Sequence, residues 1–208
     1  MIKFIVFTCG ALVMSFEILG SRVLAPNFGN SIFVWGSLIS VFLAGLSAGY
    51  YMGGKFADIN PSTRKLGLII ALPGIMFLTF PLYGYPISNW IFDLELGIRT
   101  APLLASMVLF FIPSVFLGMV SPYTVKLMIC SLHTSGTTVG SLYALSTLGS
   151  IVGTLLTSFY LITIAGVKVL IMAQGIILLL ITTSLFIMKI SCFIDTAQNS
   201  EKSAISDS

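Results

Sequence analysis

Hydrophobic residues run in long stretches along most of the chain, and short polar breaks separate these stretches. A helix needs about 20 mostly apolar residues to cross a ~30 Å hydrocarbon core. Six stretches have about that length, and each predicts a transmembrane helix. They cover residues 3–23, 32–53, 66–83, 102–120, 139–164 and 169–190. The pattern therefore predicts an all-α integral membrane protein, with residues 1–190 forming a single transmembrane helical domain.

Composition agrees with lipid as the solvent. Of the 208 residues, 57% are hydrophobic and only 8% are charged, whereas a soluble domain carries about 25% charged residues. The basic residues are dispersed, which argues against a nucleic-acid surface. The single histidine, His133, and three widely spaced cysteines form no metal-ligand pattern. We therefore expect no metal, no cofactor and no nucleic-acid partner.

The basic residues of the short loops predict the orientation, because cytoplasmic loops carry an excess of Lys and Arg. With the N-terminus inside, seven basic residues are cytoplasmic: Lys3, Lys55, Arg64, Lys65, Lys126, Lys189 and Lys202. Three are then outside: Arg22, Arg99 and Lys168. We expect both termini in the cytoplasm and a bacterial inner membrane as the location. The polar segment 191–208 predicts a disordered cytoplasmic tail.

Glu17 alone among seven acidic residues lies inside a predicted span. A charge there costs at least ~2.5–3.5 kcal/mol. Protonation, an ion pair with Arg22 or a cavity for a cationic substrate would offset this cost, although a spacing of five residues suits one helix face poorly. A buried polar clamp between helices is the structural alternative, and the sequence favours neither. The bulky residues around Glu17 argue against signal-peptide cleavage.

Pro26 predicts that the first helix unwinds after Gly20 into a polar turn beside Glu17. Such a turn is a candidate substrate vestibule, and a structural hairpin corner is its alternative. The candidate substrate-binding residues are Glu17, Ser21, Arg22 and Asn27. Residues 84–100, rich in aromatic side chains, predict either a short helix on the outer leaflet or an ordinary loop. Residues 121–138 have room for a short interfacial helix.

Glycines at a spacing of four mark the second and fifth stretches. Small-residue faces let helix backbones approach closely in lipid. The predicted helix-packing residues are Gly45, Gly49, Gly53, Gly140, Gly149 and Gly153. Their corresponding places in the two halves hint at a three-helix repeat, inverted or parallel. Six helices are half the number found in a major facilitator fold. We therefore expect two copies of the chain to form a homodimer.

Three long segments resemble one family. They are FEILGSRVLAPNFGNS (residues 16–31) with Trp35, LAGLSAGYYMGGKFAD (residues 43–58), and GSLYALSTLGSIVGT (residues 140–154) together with residues 121–123. They are similar to the membrane domain of fused membrane-bound spermidine synthases. Many members carry a soluble aminopropyltransferase domain after the helices, and its catalytic motif matches no position here. The resemblance implies a stand-alone membrane module, without enzymatic activity of its own and with no catalytic residues.

Two functions follow as hypotheses. The first is transport or permeation of a polyamine-like cation or another small metabolite, because an intramembrane carboxylate can neutralise a cation. The second is a non-transporting anchor or assembly partner for a separately encoded aminopropyltransferase-like enzyme. A membrane-embedded enzyme acting on lipid would need more acid and base groups at one depth than Glu17 and Arg22. Expected partners are the lipid bilayer, a second copy of the chain and the soluble enzyme.

Overall fold

The computed structural model describes residues 2–59, 61–128 and 135–187. It contains six helices long and apolar enough to cross a membrane, which confirms the predicted all-α multi-pass architecture. The first four are α1 (Ile2–Phe28), α2 (Ile32–Asp58), α3 (Thr63–Asp93) and α4 (Gly97–Met128). The fifth, α5, is α-helical over Ser135–Leu156, π-helical over Thr157–Leu161 and α-helical again over Ile162–Ile164. The sixth, α6, is Val167–Ile187. The predicted tail, residues 191–208, lies outside the described residues.

The first helix does not unwind at Pro26, contrary to the sequence-based expectation. It continues to Phe28, and the Gly29 N–H still donates to the Ala25 carbonyl oxygen at 2.9 Å. Proline removes only one backbone donor, whereas unwinding exposes several backbone groups that find no water in lipid. Prolines within α3 and α4 are accommodated in the same way. The polar turn expected beside Glu17 is therefore reduced to residues 29–31.

Residues 84–100 form neither the separate short helix nor the ordinary loop that the sequence left as alternatives. Most of this segment extends α3 as far as Asp93, and α4 begins at Gly97. The connection consists of residues 94–96, with Glu95 at a φ of 50°. Residues 121–128 likewise extend α4 instead of forming a separate interfacial helix, and residues 129–134 lie outside the described residues. Both helices therefore extend through polar and aromatic residues, by two to three turns beyond the apolar stretches from which they were predicted.

A cluster of aromatic rings on four helices fills the centre of the bundle. Phe16 on α1 has no exposed surface, and its ring centroid lies 4.1 Å from that of Phe77 and 5.3 Å from that of Phe110. Phe42 and Phe80 contact the same ring at 5.6 and 6.1 Å. Such tilted and edge-to-face pairs add to the packing of the core. This cluster ties α1 to α2, α3 and α4.

Two glycine seams show that the two halves of the chain pack alike. Along one seam α2 lies against α4, and a Cβ at Gly49 would collide with the Val115 carbonyl oxygen. Along the other, α5 lies against α1, and a Cβ at Gly153 would collide with the Ala11 carbonyl oxygen. Every residue of the second contact lies 104 positions from its counterpart in the first, as Gly153 does from Gly49. The exchange of α1 with α4 and of α2 with α5 therefore maps one seam onto the other.

The third helices of the two halves, α3 and α6, pack against each other. Gly74 of α3 meets Leu178 of α6, and these residues are themselves 104 positions apart. The contact therefore lies on the axis that relates the halves. Each half has three helices joined by short connections, so the second half starts at the opposite end of the bundle. The repeat is thus inverted, which is the arrangement found within each half of a major facilitator transporter.

Gly140 is the exception among the predicted packing residues. No described atom outside its own helix lies within 4 Å of the position that a Cβ would take there. Its counterpart Gly36 is equally open. Both glycines begin a Gly-Ser-Leu sequence, at residues 36–38 and 140–142, which ends in a buried leucine. Gly140 therefore marks the repeat and not a close contact between helices.

Candidate functional site

Three polar side chains meet inside the bundle, where α1, α5 and α6 come together. Ser15 Oγ and Thr157 Oγ1 are 2.6 Å apart, and Gln174 Nε2 donates to Ser15 Oγ at 2.6 Å. All three residues are buried, at 4%, 1% and 5% exposure. Ser15 is the central residue of α1. We call Ser15, Thr157 and Gln174 the polar triad.

The backbone of α5 changes where it reaches the polar triad. Thr157 begins the π-helical turn, and the Ile162 N–H donates to the Thr157 carbonyl oxygen. A π turn inserts one extra residue into a helix, and such turns are frequent at functional sites. The turn comes directly after the glycine seam that ends at Gly153. Close packing of α5 on α1 therefore delivers the Thr157 hydroxyl to Ser15.

The polar triad breaks the symmetry of the repeat. The counterparts of Ser15, Thr157 and Gln174, 104 positions away, are Met119, Gly53 and Ile70. Met119 and Gly53 touch each other just as Ser15 and Thr157 do, but without a hydrogen bond. Packing alone is therefore satisfied by apolar residues at this place in the fold. Polar residues therefore occupy only one of the two equivalent places in the repeat.

Gln174 Oε1 is buried and has no hydrogen-bond donor among the described residues. An exchange of the amide oxygen and nitrogen would leave the nitrogen unpaired instead. A buried polar group without a partner costs about 1–3 kcal/mol. A ligand that carries N–H or O–H donors, such as an ammonium group or water, would be stabilised next to Oε1.

Glu17 is partly buried, and within the described ranges it forms neither an ion pair nor a hydrogen bond. The pair with Arg22 is not formed, and Arg22 is exposed. Successive residues of a helix are turned by about 100°, so Glu17 and Ser15 face nearly opposite sides of α1. The carboxylate therefore does not belong to the polar triad. It shares its strip of α1 with Gly10 and Ser21.

Ser21 and Arg22 do come together, at a cavity of about 220 Å³ between α1, α2 and α5. Asn30, Trp35 and Ser158 also line this cavity. The Ser21 hydroxyl is already bonded to the Ile18 carbonyl oxygen of its own helix at 2.7 Å. Ser158 follows Thr157 directly, so this cavity and the polar triad flank the same π turn. Two of the four candidate substrate-binding residues thus share one cavity.

Asn27 lies elsewhere and links α1 to the end of α3. Its Nδ2 donates to Ser88 Oγ at 3.0 Å and to Asn89 Oδ1 at 2.8 Å. It also borders a separate cavity of about 440 Å³, whose rim carries Asp93 and Glu95. The four candidate residues therefore occupy three places and do not converge on one binding site.

Within residues 2–59, 61–128 and 135–187, no three His, Cys, Asp or Glu side chains come close enough to hold a metal ion. Comparison with protein-family models gives no match, and comparisons with curated proteins and with solved structures give no significant match. The resemblance to the spermidine synthase membrane domain stays a prediction.

Proposed function

We propose that the protein is a membrane transport or permeation module for a small amine-bearing metabolite, with polyamine-like cations as its substrate class. The main support is the inverted repeat that carries a buried polar triad at the centre of α1. Secondary transporters built from inverted repeats bind substrates near the bilayer midplane, at the interface between repeats. Substrate binding would explain why the polar triad is buried at that depth, where apolar residues would pack equally well.

The charges around α1 favour a cation over an anion at two places. The Glu17 carboxylate and Gln174 Oε1 are acceptors only, and an ammonium group offers up to three donors to them. Arg22 would repel a cation from the small cavity that it lines with Ser21. We therefore propose two separate places for an ammonium group, one at the polar triad and one at Glu17 on the opposite side of α1, and we assign no cation to that cavity.

Flux measurements on the purified protein in sealed phospholipid vesicles test the proposal. Radiolabelled putrescine and spermidine are the probes. The wild type should accumulate label above protein-free vesicles, and Glu17→Gln or Gln174→Ile should reduce the rate severalfold. Asp58→Asn is the matched control, since this carboxylate is exposed and paired with Lys126 at 2.8 Å. Its flux should equal that of the wild type.

Equal rates for the wild type and both variants, or no flux above empty vesicles, would contradict the proposal. A thermal melt of each variant in detergent separates a lost site from a lost fold. Glu17→Gln should melt at or above the wild-type temperature, because it removes an unpaired, partly buried carboxylate from α1.

A separately encoded aminopropyltransferase-like partner is the second candidate function. The exposed basic residues Lys55 and Arg64, at the corner between α2 and α3, favour it, because they offer a charged surface outside the apolar bundle. Charge reversal at both residues should then abolish co-purification of such an enzyme without affecting polyamine flux. A complex that survives the reversal would argue against this docking surface.

A homodimer is compatible with the transport proposal. The span formed by α5 is the least buried of the six, and exposed aromatic residues such as Tyr143 and Phe159 lie on it. A second copy packed on α5 would cover this surface and complete twelve helices. Mass measurement of the purified protein in detergent distinguishes one copy from two.

A further inference from the structure

A groove between α2, α3 and α4 opens on the lipid-facing surface of the bundle. Its volume is about 600 Å³. The exposed side chains of Phe56 and Leu68 form its walls, and the buried residues Met119 and Tyr123 form its floor. In a membrane-spanning chain this opening faces lipid. We call it the α2–α4 groove.

The lining of the α2–α4 groove is almost entirely apolar, and its one charged residue, Lys65, lies at one end. Ile59, Lys65 and Tyr123 mark the end near the connection between α2 and α3, whereas Met52 and Leu72 lie about two helical turns deeper. Seven residues separate Lys65 from Leu72 on α3, which corresponds to roughly 10 Å along the helix. The groove therefore has the polarity of a lipid, with a charged head at the surface and a hydrocarbon tail along the helices.

Hydrogen bonds hold the charged end of the groove in place. Lys65 Nζ donates to the Ile59 carbonyl oxygen at 2.8 Å. The Tyr123 hydroxyl accepts from the Ser62 N–H at 3.0 Å and donates to the Ser62 carbonyl oxygen at 3.3 Å. These bonds fix the connection between α2 and α3 on α4. An ammonium has three donors, so two donors of Lys65 stay available to a ligand.

The charge at this corner suits an anionic ligand. Lys126 is neutralised by Asp58, whereas Lys55, Arg64 and Lys65 have no acidic partner among the described residues. Basic pockets beside transmembrane helices on the cytoplasmic side bind anionic headgroups. The positive-inside rule places this corner in the cytoplasm.

We propose that the α2–α4 groove binds one anionic glycerophospholipid, with an acyl chain along Phe56, Leu68 and Met119 and the headgroup phosphate on Lys65. Phosphatidylglycerol has the required chemistry, whereas phosphatidylethanolamine has the same tails but no net charge. The site is independent of transport, because it lies on the outer surface and away from the polar triad.

The inverted repeat supplies an internal control. A more open recess lies on α5 and is lined by residues 152, 155, 156, 159 and 160. It is the counterpart of the α2 wall of the groove, because Leu156 corresponds to Met52 and Tyr160 corresponds to Phe56. The counterpart of Lys65 is Val169. The recess on α5 therefore lacks the cation and should show no preference for a headgroup.

Native mass spectrometry of the delipidated protein, titrated with lipid in detergent, tests the proposal. Phosphatidylglycerol should bind with a stoichiometry of one and more tightly than phosphatidylethanolamine. Lys65→Gln should weaken the binding of phosphatidylglycerol by about fivefold, since one basic residue near the headgroups contributes about 1 kcal/mol. The binding of phosphatidylethanolamine should not change. Lys65→Arg should restore the preference.

Leu68→Trp tests the hydrocarbon part of the site, and Leu155→Trp on α5 is its matched control. The first should abolish tight binding of phosphatidylglycerol, and the second should leave it unchanged. Equal affinity for the two lipids in the wild type would overturn the proposal, as would equal losses in the two tryptophan variants. Competition by inorganic phosphate at the same affinity would also overturn it, since the groove would then add nothing to binding.

Discussion

Gly45 and Gly149 lie 104 residues apart and occupy equivalent positions in the two halves of the bundle. Gly45 packs against α4 beside the Phe111 carbonyl oxygen, and Gly149 packs against α1 beside the Phe7 carbonyl oxygen. Phe7 and Phe111 are also 104 residues apart. Because the backbones of parallel neighbouring helices approach so closely, a side chain at either glycine would force them apart.

Gly49→Ala and Gly153→Ala should each destabilise the protein by about 1–3 kcal/mol, the usual cost of overpacking. The new Cβ would meet a backbone carbonyl oxygen of the neighbouring helix, which cannot move as a side chain can. The midpoint of SDS-induced unfolding in mixed micelles measures the effect.

Gly36→Ala and Gly140→Ala are the matched controls, because their Cβ positions are open. Each should leave stability unchanged or raise it by up to about 1 kcal/mol, the difference in helix propensity. Equal losses at all four glycines would show that the helix backbones do not approach closely along the seams.

The sequence predicted six spans and most of the seam glycines correctly, because both depend on local pattern. Helix ends were harder to predict. Pro26 and Trp90 sit in polar or aromatic surroundings that resemble loops, yet the helices continue through them, since lipid penalises open backbone more than it penalises such side chains. The inverted repeat was only hinted at, although the Gly-Ser-Leu sequences at residues 36–38 and 140–142 carried its spacing.

Ser15→Ala should cost about 0.5–2 kcal/mol, in the range of interhelical hydrogen bonds in membranes. It removes the shared partner of Thr157 and Gln174 and leaves both side chains buried. Gln174→Ile should cost less, because it also removes the unpaired Oε1 and matches the apolar counterpart Ile70. The same unfolding midpoints rank the two variants.

Ser141→Ala serves as the control for the loss of a hydroxyl. Ser141 is exposed and bonds only the Thr138 carbonyl oxygen of its own helix, at 2.9 Å. Its stability should equal that of the wild type. A greater loss for Gln174→Ile than for Ser15→Ala would mean that Gln174 stabilises the fold by itself, and the ligand assigned to its oxygen would lose its support.

The polar triad could not be predicted from the sequence. Ser15 and Thr157 are 142 residues apart along the chain, and Thr157 and Gln174 are 17 residues apart. Each residue alone looks like an ordinary polar residue of a transmembrane helix. Only the register of α5 on α1 brings them together. Glu17 drew attention because a charge in lipid is costly, whereas three uncharged side chains left no comparable signal.

Tyr123→Phe should lower stability by about 1–2 kcal/mol, because the Ser62 N–H and carbonyl oxygen lose their bonds to the hydroxyl. Hydrogen exchange at the connection between α2 and α3 should become faster, while exchange in α6 should not change. Tyr143→Phe, at an exposed position, is the control. Unchanged exchange at Ser62 in Tyr123→Phe would contradict the role of this tyrosine in fixing the connection.

Orientation in the membrane depends on few residues, because an inverted repeat presents a similar fold to both sides. At the corner between α2 and α3 the basic residues are Lys55, Arg64 and Lys65. Their counterparts at the opposite end are Phe159, Lys168 and Val169. Three basic residues against one decide the expected orientation, since positive loops stay in the cytoplasm.

Single-cysteine variants on a background without Cys9, Cys130 and Cys192 test this orientation. Glu95→Cys should react with a membrane-impermeant maleimide in intact cells, and Arg64→Cys should react only after permeabilisation. The reverse pattern would place the basic corner outside. Labelling of both positions in intact cells would mean that the chain inserts in two orientations, which the internal symmetry of the fold permits. An antiparallel pair of copies would then become the expected assembly.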